Sequence, residues 1–164
     1  MVGAGKGVGT IRLIPMTESE FETYLEVAIP EYAQDKAQTG DWSRDEALER
    51  SRKSYENELP QGINTEYNYL FRIQIEESEE KIGMIWMKHE APRKRGFIFD
   101  ISLDESQRGK GYGKQTMLAL EEKARELGVE TIGLHVFAKN AVAMKLYNGL
   151  GYEVTSQNMT KRIG

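Results

Sequence analysis

The alternation of apolar and polar residues along the chain predicts a series of β-strands interrupted by helices. Apolar residues at every second position indicate a strand, whereas apolar residues three and four apart indicate the buried face of a helix. Strands are predicted on this basis over residues 10–16, 67–76, 81–89, 96–103 and 131–137, and two short ones over 152–154 and 157–161. The polar residues between the second and third strands predict a hairpin.

Capping residues and helix breakers set the ends of the predicted helices. Two residue pairs have the spacing of a capping box: Thr17 with Glu20, and Ser43 with Glu46. Helices are therefore predicted to begin at these two places, the first ending or kinking at Pro30 and the second reaching about residue 59. Further helices are predicted over residues 114–127 and 140–148.

The order of these elements predicts an α/β (α+β) fold with a mixed central sheet of six to seven strands and about four helices. An early hairpin gives antiparallel pairs, and later helical crossovers give parallel ones. We expect a single domain over residues 10–164. Residues 1–9, in which glycine alternates with small residues, are expected to be a flexible leader or an expression remnant, since no strand precedes them.

Composition narrows the class of protein. The 164 residues suit one core, and the formal net charge of −4 argues against a nucleic-acid partner. The absence of cysteine excludes disulfides, thiolate metal sites and cysteine nucleophiles, and we predict no metal site. No apolar run approaches the roughly 20 residues of a membrane span, so we expect a cytoplasmic protein with no membrane partner.

The glycine-rich turn at residues 107–113 is the most informative stretch of the chain. A predicted strand leads into it and a predicted helix leads out, so backbone N–H groups and the positive end of a helix point to one place. Gly111 and Gly113 would let a ligand approach the backbone closely, and Lys110 and Lys114 would add positive charge. The turn therefore predicts a phosphate or pyrophosphate site, although a tight turn with solvated lysines fits the stretch alone.

Residues in the last third of the chain extend this pattern. Asn140 stands where the last helix begins, and Tyr147 follows about two helical turns later. With the turn they make up a motif at Arg108, Gly111, Gly113, Asn140, Ala143, Tyr147 and residues 150–152. Over roughly residues 97–154 the chain thus resembles the GNAT N-acetyltransferase superfamily, whose enzymes depend on acetyl-CoA.

The resemblance implies how acetyl-CoA would be bound. It implies a sheet splayed between the fourth and fifth strands, with the pantetheine arm in the gap and paired to backbone groups near Ile101 and Leu103. A backbone amide aimed at the acetyl carbonyl would also stabilise the oxyanion. The residues implied for binding acetyl-CoA are Ile101, Leu103, Arg108, Gly109, Lys110, Gly111, Tyr112, Gly113, Lys114, Asn140 and Tyr147.

Tyr147 is the candidate general acid that the resemblance implies. Its hydroxyl, with an ordinary pKa of about 10, could donate a proton to the leaving CoA thiolate. Without a cysteine for an acetyl-enzyme, the amine is expected to attack directly in a ternary complex.

The general base is harder to assign. The histone-acetylating branch of the superfamily uses a Glu on the fourth strand, but Phe97 occupies that position here. Asp100 lies on the same strand, and strict alternation points it to the other face unless a β-bulge turns it. The remaining candidates are Glu90, His89, Glu105 and a chain of water molecules.

The acceptor implied by the resemblance is a primary amine of a small molecule or peptide, bound near the first two helices. Residues 18–50 carry ten acidic and three basic side chains, together with Tyr32 and Trp42. Such a wall would suit a cationic amine, but a solvated helix face explains the same charges.

Two other functions stay open. A non-catalytic acyl-CoA-binding or sensor domain on the same fold is the first; Tyr147 argues against it, and the missing carboxylate at Phe97 argues for it. A nucleotide-binding protein is the second, and the lack of a Gly-Lys-Ser/Thr ending in the turn argues against it. The resemblance also allows a homodimer.

Overall fold

The computed structural model describes residues 9–164, which form two compact units, one ending at Leu134 and the other spanning His135–Gly164. The strands are β1 Ile11–Pro15, β2 Asn68–Ile75, β3 Lys81–Glu90, β4 Arg95–Leu103 and β5 Thr131–Leu134. The α-helices are α1 Glu18–Gln38, α2 Arg44–Glu58, α3 Tyr112–Glu126 and α4 Ala141–Gly149. Among residues 9–164, no helix has the length and apolar character needed to cross a membrane.

The expected leader over residues 1–9 lies outside the described residues except for Gly9. The N–H of Gly9 donates to the Tyr112 hydroxyl at 3.2 Å, and its carbonyl accepts from the Gln115 amide at 2.9 Å. Gly9 is therefore held against α3 rather than flexible. The expectation of a single domain over the rest of the chain stays a prediction.

The strands form one mixed sheet in the order β1-β2-β3-β4-β5. The first four pair antiparallel, and β4 and β5 pair parallel, so the predicted mixed sheet is confirmed. The prediction of six to seven strands is wrong, since the described residues contain five. The segments 152–154 and 157–161 form no strand, because apolar residues such as Val154 (55% exposed) and Met159 (91% exposed) find no surface to cover. β5 likewise ends at Leu134, before the exposed Phe137.

Apolar clusters cover both faces of the sheet. On one face the strands pack against α1 and α2 through Met16, Phe21, Leu59, Leu70, Met84 and Trp86. On the other face they pack against α3 through Ile11, Ile73, Ile75, Ile82 and Tyr112. Central strand β3 is buried on both sides, which explains why its apolar residues do not alternate cleanly.

Of the two expected effects of Pro30, an end or a kink of the helix, the end does not occur, because α1 continues to Gln38. A proline inside a helix lacks the N–H of one backbone hydrogen bond and costs about 3 kcal/mol. Packing against α2 offsets this cost: Ala28, Ala33 and Ala47 are buried, and the Ser51 hydroxyl of α2 donates to the Ile29 carbonyl at 2.7 Å. Tertiary contacts therefore outweigh the local preference of Pro30.

Strand β4 is interrupted on both of its edges. Ile98 pairs with Met87 of β3 and Asp100 pairs with Trp86, so Phe99 forms a β-bulge without a residue opposite. On the other edge, pairing with β5 stops at Ile98. Residues 99–103 thus have no strand beside them on that edge within residues 9–164, which agrees with the predicted splay.

The two expected capping boxes differ in the structure. The Thr17 hydroxyl accepts from the Glu20 N–H at 3.1 Å, and the Glu20 carboxylate accepts from the Thr17 N–H at 3.0 Å. Ser43 stands at the start of α2, but its side chain makes no capping hydrogen bond. Only the first of the two sequence patterns therefore satisfies backbone donors at a helix start.

This difference predicts that removing the two hydroxyls lowers the stability of the fold by unequal amounts. Thr17→Ala should lower the free energy of unfolding by about 1 kcal/mol, because it leaves a helix N–H without its partner. Ser43→Ala is the matched control and should cost clearly less. Urea denaturation followed by circular dichroism measures both, and equal losses would contradict the difference.

Candidate active site

The turn between β4 and α3 has an open backbone. Gly109 has φ +75° and Gly111 has φ +87°, conformations that side chains rarely adopt, so glycine is required at both positions. A Cβ built on either residue would meet no atom within 4 Å. The space in front of this backbone is therefore free for a ligand.

The N-terminus of α3 faces this space without a side-chain cap. Gly111 is the N-cap residue and has no side chain to satisfy the first N–H groups of the helix. Lys110 contacts Gln107 at 3.3 Å and is exposed, as is Lys114. The Tyr112 side chain is buried in the core, so only its backbone N–H is available here. Uncapped N–H groups, a helix dipole and nearby lysines fit a pyrophosphate.

The turn is connected to the end of β4 through Arg108. Its guanidinium Nε–H donates to the Leu103 carbonyl at 3.1 Å. The side chain of Leu103 packs against the cluster beneath α3, and Ile101 lies on the same face, paired with Ile85. Both side chains are therefore structural, and only backbone groups of residues 99–103 are available at the unpaired edge.

The second unit contains the other two predicted site residues. Asn140 caps α4, because its side-chain oxygen accepts from the Ala143 N–H at 3.1 Å. Tyr147 lies on α4, half-buried, with its ring edge-on to Tyr152 at 5.8 Å. Burial raises the pKa of the Tyr147 hydroxyl, which keeps it protonated at neutral pH.

The bulge at Phe99 decides where Asp100 points. Asp100 pairs with Trp86 and Phe97 pairs with Lys88, two positions apart on β3, so both residues lie on the face covered by α1 and α2. The Tyr24 hydroxyl of α1 donates to the Asp100 carboxylate at 2.6 Å. Strict alternation would have placed Asp100 and Phe97 on opposite faces, and the extra residue reverses that.

Aromatic rings surround this carboxylate. The Phe99 ring stacks on Trp86 at 4.6 Å and meets Phe97 at 5.1 Å. Tyr55 of α2 lies 6.0 Å from Trp86 and 6.4 Å from Tyr24, measured between ring centroids. The acidic group thus lies close to aromatic side chains, where its charge is poorly screened.

These surroundings shift the titration of three groups. Burial raises the pKa of Asp100, while hydrogen bonds from the Tyr24 hydroxyl and the Ile101 N–H partly oppose this by stabilising the carboxylate. Burial and the negative charge of Asp100 raise the pKa of Tyr24 and raise that of Tyr55 to about 12. Both tyrosine hydroxyls therefore remain protonated at neutral pH.

Comparison with known proteins decides the family. The model of the Acetyltransferase (GNAT) family matches residues 34–152. The chain belongs to the GNAT acetyltransferase family. It is 36% identical to the uncharacterized N-acetyltransferase YycN of Bacillus subtilis over 156 residues, covering 94% of this chain and 99% of YycN. It is 37% identical to YdgE of the same organism, covering 90% of this chain and 95% of YdgE.

Solved structures agree with this assignment. The crystal structure of YycN has a TM-score of 0.84 at 36% identity and covers 94% of this chain and 99% of that one. AAC(6')-Iy, solved with a CoA-containing bisubstrate analogue, has a TM-score of 0.57 at 16% identity, covering 94% and 98%. At that identity the likeness extends to the fold alone.

The other base candidates of this GNAT protein have different surroundings. His89 is buried next to Tyr67 on the opposite face of β3, and its Nε2 has no hydrogen-bond partner within residues 9–164. Glu90 is 3.9 Å from Arg95, and Glu105 is exposed before the turn. No group of three or more metal-ligating side chains occurs within the described part of the chain.

The acidic stretch over residues 18–50 already has partners of its own. Lys36 pairs with Asp41 at 3.4 Å, and Arg50 pairs with Glu46 at 2.9 Å. The same two cations lie over the Trp42 ring at 5.8 and 5.9 Å. These contacts pair two of the ten acidic residues with cations of the same stretch, as on a solvated helix surface.

Sequence reasoning did not single out Tyr24 or Tyr55 as site residues. Tyr24 recurs at helical spacing with Phe21 and Ala28, which marks it as an inward-facing residue. A usable signal was present, because an inward tyrosine hydroxyl needs a partner in the core. The identity of that partner depends on the bulge at Phe99, which the alternation of residues does not reveal.

The raised pKa of Asp100 predicts how Asp100→Asn changes stability with pH. The folded chain holds this proton more tightly than the unfolded chain does. The resulting stability is present below the ordinary carboxyl pKa of about 3.9 and is lost as pH rises through the higher folded value. Asp100→Asn, which does not titrate, should therefore gain stability relative to the wild type as pH rises through this window.

Urea denaturation at several pH values measures this difference. Asp104→Asn, which changes an exposed carboxylate at the end of β4, is the control for loss of charge alone. A difference between wild type and Asp100→Asn that stays constant, or that moves in the opposite direction, would contradict the burial of this carboxyl.

Proposed function

We propose that this chain transfers the acetyl group of acetyl-CoA to a primary amine. Membership of the GNAT family supports acetyl transfer to nitrogen. The observation that carries the choice of donor is the open backbone at Gly109 and Gly111 in front of an uncapped helix N-terminus. This arrangement fits the pyrophosphate of a CoA thioester.

Each part of the turn has a role in holding the donor. Backbone N–H groups of residues 109–114 bind the pyrophosphate, and Lys110 and Lys114 add positive charge. Arg108 keeps the turn attached to β4 through the Leu103 carbonyl. The unpaired edge of β4 can hydrogen-bond an extended amide-containing arm as a neighbouring strand would. Acetyl-CoA, when bound, supplies an activated thioester.

Asp100 accepts the proton that the amine loses. The bulge and the Tyr24 hydrogen bond present its carboxylate from β4, and burial increases its affinity for a proton. A nitrogen–carbon bond forms with the acetyl group as the carbon–sulfur bond breaks. Tyr147, kept protonated by burial, donates a proton to the departing sulfur.

The glycine turn predicts a specific loss of donor binding. Gly111→Ala should weaken acetyl-CoA binding at least about tenfold, because it strains a left-handed residue and places a Cβ in the open space before the backbone. Gly40→Ala after α1, where φ is +83° and a Cβ also meets nothing within 4 Å, is the matched control. Isothermal titration calorimetry with acetyl-CoA measures both. Unchanged binding by Gly111→Ala would remove the turn from the donor site.

The proposed role of Tyr147 as general acid predicts that removing its hydroxyl slows the chemical step. Tyr147→Phe should lower kcat by about a hundredfold, since general acid catalysis contributes about that much, while acetyl-CoA binding is largely retained. Tyr69→Phe on β2 is the control tyrosine. Release of free thiol from acetyl-CoA with a panel of primary amines measures kcat.

The same assay separates the enzyme from a sensor domain. Wild-type protein that binds acetyl-CoA but releases no CoA thiol with any amine would instead support a non-catalytic acyl-CoA-binding role. Equal rates for the wild type and Tyr147→Phe would exclude Tyr147 as the acid.

A further inference from the structure

We propose that Tyr24 is a positioning residue for acetyl transfer, and that its hydroxyl holds the Asp100 carboxylate in one orientation for the acceptor amine. This inference rests on the proposed function and adds a residue to its acceptor side. It assigns to helix α1 a direct influence on the proton transfer.

The contact between Tyr24 and Asp100 is short and joins distant parts of the chain. The hydroxyl oxygen lies 2.6 Å from Asp100 Oδ2, within the range of about 2.5–2.7 Å found for hydrogen bonds from a hydroxyl to a charged oxygen. The two residues are 76 positions apart in the sequence. The Tyr24 ring packs against the cluster that contains Trp86, so its hydroxyl has little freedom to leave Asp100.

The bulge makes this contact possible. In a regular strand without the bulge, Asp100 would lie on the same face as Ile98, away from α1. With it, Asp100 lies opposite Trp86 on the face that α1 covers. The bulge and Tyr24 therefore act together: one places the carboxylate and the other fixes it.

Uncharged hydrogen-bond donors stabilise the negative charge of Asp100. No ion pair within residues 9–164 includes Asp100, and the donors that stabilise its carboxylate are the Tyr24 hydroxyl and the Ile101 N–H. A carboxylate paired with Lys or Arg would be a much weaker base. A buried carboxylate held by a hydroxyl keeps a defined position and still has affinity for a proton.

Few other titratable groups act on this carboxylate. Tyr24 approaches from α1 and Tyr55 from α2. Tyr32 and Glu31 of α1 act in turn on Tyr55. Met84 and Trp86 of β3 contribute apolar surface. Removing the Tyr24 hydroxyl should therefore have a clear effect on the titration of Asp100, with a defined sign. The carboxylate loses a donor, so its pKa should rise further.

Tyr24→Phe tests the inference, because it removes the hydroxyl and keeps the packed ring. The ¹³C carboxyl signal of Asp100, assigned by its loss in Asp100→Asn, reports the pKa directly. The pH dependence of kcat/KM for amine acetylation reports the group that must be deprotonated. In Tyr24→Phe the pKa of Asp100 and the midpoint of the kcat/KM profile should both move to higher pH. The value of kcat/KM should fall about tenfold or more on the acid side and by less at alkaline pH. Tyr55→Phe is the matched control, because it leaves the hydrogen bond from Tyr24 to Asp100 in place. It should shift the Asp100 pKa and the kcat/KM profile less.

The outcomes separate this inference from the proposed function. If the Asp100 signal and the pH profile both stay in place in Tyr24→Phe, the positioning role is wrong. If the signal moves but the profile does not, Tyr24 holds Asp100 without serving the reaction, which overturns the inference and leaves the acetyltransferase standing. If the wild type acetylates no amine while the signal moves, the proposed function fails, and the inference fails with it.

Discussion

The interrupted pairing of β4 is the structural feature on which the candidate active site depends. On one edge the bulge at Phe99 changes the face to which Asp100 belongs, and on the other edge β5 pairs only as far as Ile98. A regular strand in a closed sheet would present neither a turned carboxylate nor free backbone groups. The candidate site therefore arises from a break in regular structure, and the two buried clusters hold that break in place.

Burial and hydrogen bonding act on Asp100 in opposite directions. Desolvation disfavours its charge, and the Tyr24 hydroxyl and the Ile101 N–H restore part of the lost stability. The balance leaves a carboxyl with increased affinity for a proton that still has a fixed position. That combination suits a proton acceptor better than a solvent-exposed carboxylate or an ion pair would.

Local sequence signals predicted the elements well where local forces decide them. The Thr17 capping box, the hairpin of β2 and β3, the turn glycines and the Asn140 cap depend on near neighbours, and the structure has each of them. Pro30 does not end α1, because packing against α2 stabilises the helix beyond it. The last two predicted strands were misread because a few apolar residues in an exposed tail have nothing to cover.

The residues of the candidate site could likewise be predicted from the sequence only where near neighbours along the chain determine their arrangement. The turn at residues 107–113 is continuous in the sequence, so an anion site can be predicted there from the sequence alone. The pair of Tyr24 and Asp100 depends on a one-residue bulge and a contact across 76 positions. Neither hydrophobic periodicity nor motif spacing contains that information.

The central claim is that an acetyl group moves from acetyl-CoA to an amine on this chain. Incubation with acetyl-CoA carrying a ¹³C-labelled acetyl group and a panel of primary amines, followed by mass spectrometry, tests it most directly. The account predicts a labelled N-acetyl product formed together with an equal amount of free CoA. Bound, intact acetyl-CoA with no labelled amide in any reaction would contradict it.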